Sequence, residues 1–244
     1  MTLKARKLFF WEVKQIMKAL SIFHCNKFDI SETISLLDKK GLTVGTVSKP
    51  TTDHLIISDK KFSHFNCTYN ITIKKDILAL INGTYEPCEQ FQQAKDFSAF
   101  YSKRENLLII AAPRDIVKEF IKTFQTYPDK IDNDIKPIDY NFNTINGYED
   151  EEARALYFNV DDTTINSKHF FGVGVDQDEE AKQAIDNKTA TYLMATLDIL
   201  GKARTIGFSK SGAMVIYNNV EDIKKDYPFI ELAIETLKSI KLLK

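Results

Sequence analysis

The stretches FSAFYSKRENLLIIAAPRDIVKEFIKTF at residues 97–124 and RTIGFSKSGAMVIYNNVEDIKKDYPFIELAIETLKSI at residues 204–240 share one pattern. In each, a short apolar run ends in Ser-Lys and is followed by a polar tip, a second apolar run, an acidic break and a helix-period stretch. Apolar runs joined by short polar tips predict antiparallel hairpins, and the later 3.6-residue period predicts a helix. We therefore predict an α+β fold of antiparallel hairpins with packed helices, made of two related strand-turn-strand-helix halves.

The segment between the two halves has a different composition. Residues 125–152 combine two prolines with many acidic side chains and show only weak periodicity, which is typical of a linker or long loop. This predicts an N-terminal α+β unit at 1–124, an acidic linker or long loop at 125–152, and a C-terminal α+β unit at 153–244. The isolated apolar residues Ile138, Tyr140 and Phe142 could still dock on the body in an extended form.

Shorter patterns predict the elements around the halves. The apolar run at 8–14 predicts a central strand. Asp29 and Glu32 have the spacing of a capping box, which predicts a helix from Ile34 to the stop at Gly41. Further predicted elements are helices at 76–84 and 176–200, strands at 54–58, 67–73, 155–160 and 170–175, and a last helix starting at Pro228.

Composition limits the class of protein. Of the 244 residues, 43% are hydrophobic and 27% are charged, which is the usual mixture for a globular protein. The chain contains no apolar run of about 18 residues, so we expect no membrane partner. The three cysteines are scattered and form no CxxC pair, which predicts a reducing, cytoplasmic location. No motif predicts a cofactor.

Charge is distributed unevenly along the chain. The formal net charge is +7 over residues 1–75, −11 over 76–200 and +3 over 201–244. The near-neutral total of −1 argues against general affinity for nucleic acid, but the basic ends could form a local patch. Basic side chains interleave with aromatic ones at 4–18, although those aromatics also suit a core strand. The candidate nucleic-acid-binding residues are Lys4, Arg6, Lys7, Lys14, Lys202, Arg204 and Lys210.

Acidic side chains cluster in the predicted linker. Such a cluster could contact a basic protein partner, although a solvated loop is the usual meaning of an acidic run. The candidate partner-binding residues are Asp129, Asp132, Asp134, Glu149, Asp150, Glu151 and Glu152.

One pattern admits an enzymatic interpretation. A metal-dependent nuclease of the PD-(D/E)xK kind needs two carboxylates and an ammonium group converging on one cation. Asp162, Glu180 and Lys182 have a compatible spacing. Glu180 also lies in the predicted first turn of a helix, where an acid simply favours the helix dipole. We therefore predict no catalytic centre and no bound metal, and keep the nuclease as the alternative.

The segment Phe97–Phe124 resembles phage-exclusion and antiphage DNA-binding proteins, such as the lambda exclusion protein and the DNA-binding component of Kiwa. The matching residues are apolar packing positions: Phe97, Phe100, Leu107, Leu108, Ile109, Ile110, Ile116, Phe120 and Phe124. The resemblance covers about a tenth of the chain and includes no functional site. It implies a non-enzymatic, oligomeric, DNA-associated protein of a mobile element.

Three hypotheses follow from the sequence. The first is a non-enzymatic component that binds nucleic acid or protein in phage or mobile-element defence or counter-defence. The second is the metal-dependent nuclease, and the third is a protein-interaction module that uses the acidic segment. We also expect a homodimer, because amphipathic end helices often complete their burial across a two-fold axis.

Overall fold

The computed structural model describes residues 18–124, 127, 129–132, 134–148, 151–161 and 164–244. The strand predicted at 8–14 lies outside the described residues. In the described residues, no helix has both the length and the apolar character needed to cross a membrane.

The described strands form one antiparallel sheet, with the strand order β10-β9-β11-β12-β13-β1-β7-β6-β5-β3-β2 and with β4 and β8 pairing on β5 and β1. The strands are β1 Lys18–His24, β2 Ile34–Leu37, β3 Thr43–Val47, β4 Thr52–Ile57, β5 Lys60–Ile81, β6 Thr84–Ser102, β7 Leu107–Ala111, β8 Lys136–Pro137, β9 Glu152–Asn159, β10 Ser167–Phe171, β11 Ala190–Asp198, β12 Ala203–Ser209 and β13 Ala213–Ile216. The helices are α1 Arg114–Phe124, α2 Phe142–Asn146, α3 Glu179–Asp186 and α4 Pro228–Ser239.

Strand β1 connects the two predicted hairpins. Its first half pairs with β13, with Lys18 opposite Ile216, and its second half pairs with β7, with Ser21 opposite Ile110. The run Leu20–Phe23 is buried on both faces of the sheet. An apolar run buried on both faces suits a central strand, which explains why this segment lies in the middle of the sheet.

The sheet carries a hydrophobic core on each face. Leu20 and Ile22 of β1 belong to the first core, whereas Phe23 belongs to the second. Successive strand residues point to opposite faces, so one strand contributes to both cores. Residues of α3 and α4 contribute to the first core, and the buried face of α1 contributes to the second, through Ile116, Val117, Phe120 and Phe124.

The predicted class and both predicted hairpins agree with the structure. Strands β6 and β7 pair before α1, strands β12 and β13 pair before α4, and α4 begins at Pro228. Within 125–152, Ile138 and Tyr140 are buried in the first core, as expected. The internal relation of the two halves and the division into units at 125–152 stay predictions.

Two predicted helices are wrong, and in both segments a two-residue period describes the sequence better. The segment 34–37 is strand β2, in which Ile34 and Leu36 are buried and alternate with exposed residues. The segment 76–84 continues β5 into the turn at Asn82 and Gly83, both with positive φ. An Asn-Gly pair is the preferred centre of a two-residue hairpin turn.

The helix predicted over 176–200 exists but is predicted too long. Helix α3 spans only Glu179–Asp186, and Asp178 caps it by accepting from the backbone N–H groups of Glu180 and Ala181. The chain then forms β11, where Leu193, Ala195 and Leu197 are buried at alternate positions. The strand predicted at 170–175 is shorter, since β10 ends at Phe171, before Gly172 and Gly174 take positive φ values.

Candidate nucleic-acid interface

A cleft of about 940 Å³ lies beside the β4–β5 hairpin and the turn between β6 and β7. We call it the basic cleft. Among the described residues, its lining includes five side chains that carry or can carry positive charge and a single carboxylate, Asp29. The basic side chains are Lys49, His54, Lys61, Lys103 and Arg104.

Aromatic rings form the buried part of the cleft lining. Phe28 packs edge-on against Phe65 at a centroid distance of 5.0 Å and contacts Tyr101 at 5.8 Å. The Tyr101 hydroxyl donates to the Asn26 carbonyl at 3.0 Å. Burial is the main reason that the pKa of Tyr101 rises to about 12, so the phenol stays neutral at physiological pH. This apolar wall places the nearby charges beside a region of low dielectric, which strengthens their field.

The hairpin register brings two of the lysines together. Lys61 follows the turn at the start of β5 and alternates with buried Phe62, which directs Lys61 away from the core. Ser63 lies opposite Tyr101 in the ladder between β5 and β6. Lys103 follows β6 directly, in the turn before β7, so both lysines lie at this end of the ladder and line the cleft.

Within the part of the chain that the structure describes, no carboxylate neutralises the cleft lysines. Among the described residues, Lys49, Lys61 and Lys103 form no ion pair. The Arg104 side chain is 87% exposed, and its Nε lies 4.0 Å from Glu105, whose carboxylate is also 3.3 Å from Lys60. The cleft therefore presents positive charge that an external anion can compensate.

The C-terminal cations predicted from the sequence lie elsewhere. Lys202 and Arg204 come together on one carboxylate: Lys202 Nζ lies 3.0 Å from Asp222, and Arg204 also binds that oxygen. Arg204 is only 3% exposed, and its Nη1 donates to the Asn219 carbonyl at 2.9 Å. The hydrogen bond from Arg204 is the main reason that the pKa of Asp222 lies well below its usual range, and the hydrogen bond from Lys202 is the next cause.

Lys210 forms a separate arrangement with its own neighbours. Its ammonium group lies 3.2 Å from the Asp139 carboxylate, donates to the Tyr140 carbonyl at 3.1 Å and lies 5.0 Å from the centre of the Phe142 ring. None of Lys202, Arg204 and Lys210 lines the basic cleft. The remaining predicted cations, Lys4, Arg6, Lys7 and Lys14, lie outside the described residues.

Among the described residues, two acids in the first part of the predicted acidic surface, Asp132 and Asp134, bind other groups of the chain through their carboxylates, and Asp129 does so only through its backbone carbonyl. The Asp129 carbonyl accepts from Lys27, and Asp134 lies 2.6 Å from Lys136. Asp132 accepts from the backbone N–H groups of Asp134 and Asn26 at 2.9 Å each, which lowers the pKa of its carboxyl group. Binding of a protein partner by these acids stays a prediction.

The second part of the acidic set lies at the start of β9. Burial, followed by the nearby charges of Asp176 and Glu152, raises the pKa of Glu151 to about 7. Glu152 forms an ion pair with Arg154. Glu149 and Asp150 lie outside the described residues.

The residues of the alternative nuclease site are placed as follows. Glu180 lies in the first turn of α3 and is bound by Lys168, and Lys182 lies 3.9 Å from Glu179. Asp162 lies outside the described residues. Within the described ranges, no three His, Cys, Asp or Glu side chains come together in a way that could hold a metal ion.

Sequence reasoning missed the basic cleft because its residues are far apart in the chain. Lys49, Lys61 and Lys103 show no motif, and their separations of 12 and 42 residues match no local period. The usable signal was Asn82-Gly83, because this dipeptide favours a two-residue hairpin turn. A hairpin centred there pairs residues whose numbers add to 165, within one residue of the observed pairing near Lys61 and Lys103.

No model of a known protein family matches this chain, and no curated protein sequence matches it either.

Proposed function

We propose that this protein is a non-enzymatic nucleic-acid-binding component and that the basic cleft holds the phosphate backbone. The observation that carries the proposal is the group of lysines at 49, 61 and 103 that have no ion-pair partner among the described residues. Binding of such lysines to phosphates releases condensed counterions, which is the main source of sequence-independent affinity.

The composition of the cleft favours backbone recognition over base recognition. Phe28, Phe65 and Tyr101 are buried and pack on one another, so their faces are not free to stack on bases. Lysine ammonium groups act as point charges toward phosphate and read no base edge by themselves. We therefore expect affinity that depends weakly on nucleotide sequence and strongly on salt.

The wider setting of the function rests on the resemblance and on the cysteines. The resemblance of residues 97–124 to phage-exclusion and antiphage proteins supports a role in defence or counter-defence. Cys25, Cys67 and Cys88 are free thiols. Burial raises the pKa of the Cys25 and Cys67 thiols to about 12, which keeps both protonated and inert. Free thiols support a reducing compartment, and we place the function in the cytoplasm.

The test is a salt-titrated binding assay with duplex DNA, single-stranded DNA and RNA, each with and without Mg²⁺. We expect binding that weakens steeply with salt and no cleavage in the Mg²⁺ arm. The variant K49E/K61E/K103E should lose this binding. The matched control K182E/K188E/K225E carries the same charge change outside the cleft and should keep it. Equal loss in both variants, or no binding by the wild-type protein at low salt, would contradict the proposal.

A second candidate function, self-association, is supported by the hairpin of β5 and β6. Beyond Tyr69, these strands pair only with each other among the described residues, so both outer edges of the ribbon are free. Leu80 lies opposite Tyr85, and Leu78 lies on the same face opposite Pro87. Leu80 is 61% exposed, Tyr85 is 69% exposed and Leu78 is 67% exposed. Exposed apolar patches and free strand edges are typical of interaction surfaces.

We propose that two copies pair through this ribbon, because a two-fold axis lets the same apolar face and edge satisfy each other. Sedimentation equilibrium should show a dimer for the wild-type protein and a monomer for L80K/Y85E. A wild-type monomer at high concentration, or a dimer unchanged by L80K/Y85E, would contradict this candidate.

A further inference from the structure

A second depression of about 750 Å³ lies where the β5–β6 hairpin leaves the sheet beside the first turn of α1. We call it the arm-base groove. Its apolar wall includes Tyr69, Ile71, Phe97, Pro113 and Ile116. Tyr69 and Phe97 both pack edge-on against Phe120 of α1, with ring centroids 6.2 and 4.9 Å apart. Packing against the second core therefore holds these two rings of the apolar wall in place.

Carboxylates line this groove in greater number than basic groups do. Asp96, Asp115 and Glu119 line it together with Lys18 and Lys95. Asp115 and Glu119 are four residues apart on α1, so they occupy the same face of the helix. The Thr68 hydroxyl donates to the Asp96 carboxylate at 2.7 Å, and Lys122 lies 2.7 Å from Glu119.

The chain enters β1 at the edge of this groove. Lys18, the first residue of β1, lines the groove, and residues 1–17 connect directly to it. Ser21 lies opposite Ile110, and continuing this antiparallel register places Lys18 opposite Pro113. The point where residues 1–17 join the described structure is therefore beside Pro113, which belongs to the apolar wall.

The composition of residues 1–17 is complementary to the groove. The segment carries four basic side chains and one acidic side chain, and it contains the apolar run Leu8–Trp11. Seven residues separate Trp11 from Lys18, and an extended chain covers at most about 25 Å over that length. The apolar run is thus tethered close to the groove, at a high effective concentration.

We propose that residues 1–17 dock in the arm-base groove, with the run Leu8–Trp11 on the apolar wall and the basic side chains on Asp96, Asp115 and Glu119. Docking covers the half-buried rings of the apolar wall and brings basic side chains beside carboxylates, of which Asp115 is exposed. It also engages Lys4, Arg6 and Lys7 with acidic groups of the same chain. This inference is independent of nucleic-acid binding by the basic cleft.

Trp11 provides the test, because it is the chain's single tryptophan. In the full-length wild-type protein, we expect Trp11 emission at shorter wavelength than in the urea-unfolded chain, with several-fold weaker quenching by acrylamide. The variant D115K/E119K changes two exposed side chains and should move the emission to longer wavelength and raise the quenching constant. The control E86K/E89K, with the same charge change on the β5–β6 hairpin, should leave both unchanged.

A charge exchange keeps the test independent of folding defects. The variant K4E/R6E/K7E should also expose Trp11, and combining it with D115K/E119K should restore protection. Wild-type Trp11 as accessible as in the unfolded chain would overturn the proposal. Protection that D115K/E119K does not reduce, or that the combined variant does not restore, would overturn it as well.

Discussion

The basic cleft and the C-terminal cations contain the same kinds of side chain, but these side chains have different surroundings. In the cleft, Lys49, Lys61 and Lys103 have no ion-pair partner within the described ranges. At the C-terminal site, Lys202 and Arg204 share the Asp222 carboxylate, and Lys210 lies on Asp139. The comparison shows that a basic residue is a candidate ligand for an external anion only when its own chain leaves it uncompensated.

Burial separates the arginines of the two regions as clearly as pairing does. The Arg104 side chain is 87% exposed, whereas Arg204 is 3% exposed. An arginine as buried as Arg204 requires a partner, because desolvation of an unpaired charge costs several kcal/mol. We therefore expect Arg204 to contribute to stability and keep the cleft cations as the proposed binding residues.

The largest effect is expected from reversing the cleft charges. In K49E/K61E/K103E, repulsion replaces attraction at three phosphate contacts, and affinity for duplex DNA should fall on the order of 100-fold or more. Fluorescence anisotropy at low salt measures this change. The urea unfolding midpoint should stay close to that of the wild-type protein, because the three side chains are exposed. A large drop in that midpoint with unchanged affinity for DNA would contradict this prediction, because the cleft lysines would then contribute to stability and not to binding.

The next largest effect is expected at Arg204. Arg204→Ala removes buried hydrogen bonds to Asn219 and Asp222. Loss of buried hydrogen bonds leaves acceptors unsatisfied and should lower the free energy of unfolding by about 1–3 kcal/mol. Urea denaturation measures the change, and affinity for DNA should stay at the wild-type value. Lost affinity in a folded Arg204→Ala protein would place Arg204 in the binding site.

A smaller, pH-dependent effect is expected from Asp222. Its folded-state pKa is depressed, mainly by Arg204 and Lys202, whereas an unfolded aspartate titrates near pH 4. Its contribution to stability is therefore complete above about pH 4 and is lost as the pH falls toward the depressed value. Asp222→Asn should abolish this part of the acid dependence in unfolding experiments between about pH 2 and 5. An unchanged profile would show that Asp222 contributes little.

The smallest effect is expected at Lys202. Its side chain is 56% exposed and shares Asp222 with Arg204, which remains in place. Exposed ion pairs contribute little, so Lys202→Ala should change the free energy of unfolding by less than about 0.5 kcal/mol. Its affinity for DNA should also be unchanged. A reduced affinity in this variant would contradict the prediction and indicate that the C-terminal cations contact DNA.

Local patterns predicted the parts of the fold in which the spacing of apolar residues and the turn or cap residues indicate the same element. The hairpins near residues 97–111 and 203–216 combine two apolar runs with a polar tip, and Pro228 marks the first residue of a helix. The helix predictions fail where the apolar residues fit more than one period. At 190–200, leucines and alanines fit both a helical and an alternating pattern, and pairing with β9 and β12 decided for the strand.

The candidate site was less predictable than the fold, because its chemistry depends on long-range pairing. Lys61 and Lys103 reach the same cleft only through a hairpin of more than forty residues, part of which the sequence pattern predicts as a helix. The compensation of Lys202 and Arg204 depends on Asp222, about twenty residues away. Charge density along the sequence cannot show which cations an ion pair has already neutralised.

The most direct test of the central claim is the salt dependence of DNA binding by the wild-type protein and by K49A/K61A/K103A. The account predicts that the slope of log affinity against log salt concentration falls by about one for each lysine removed, hence by about three. A slope that is the same in the two proteins would contradict it, because the phosphate contacts would then lie outside the basic cleft.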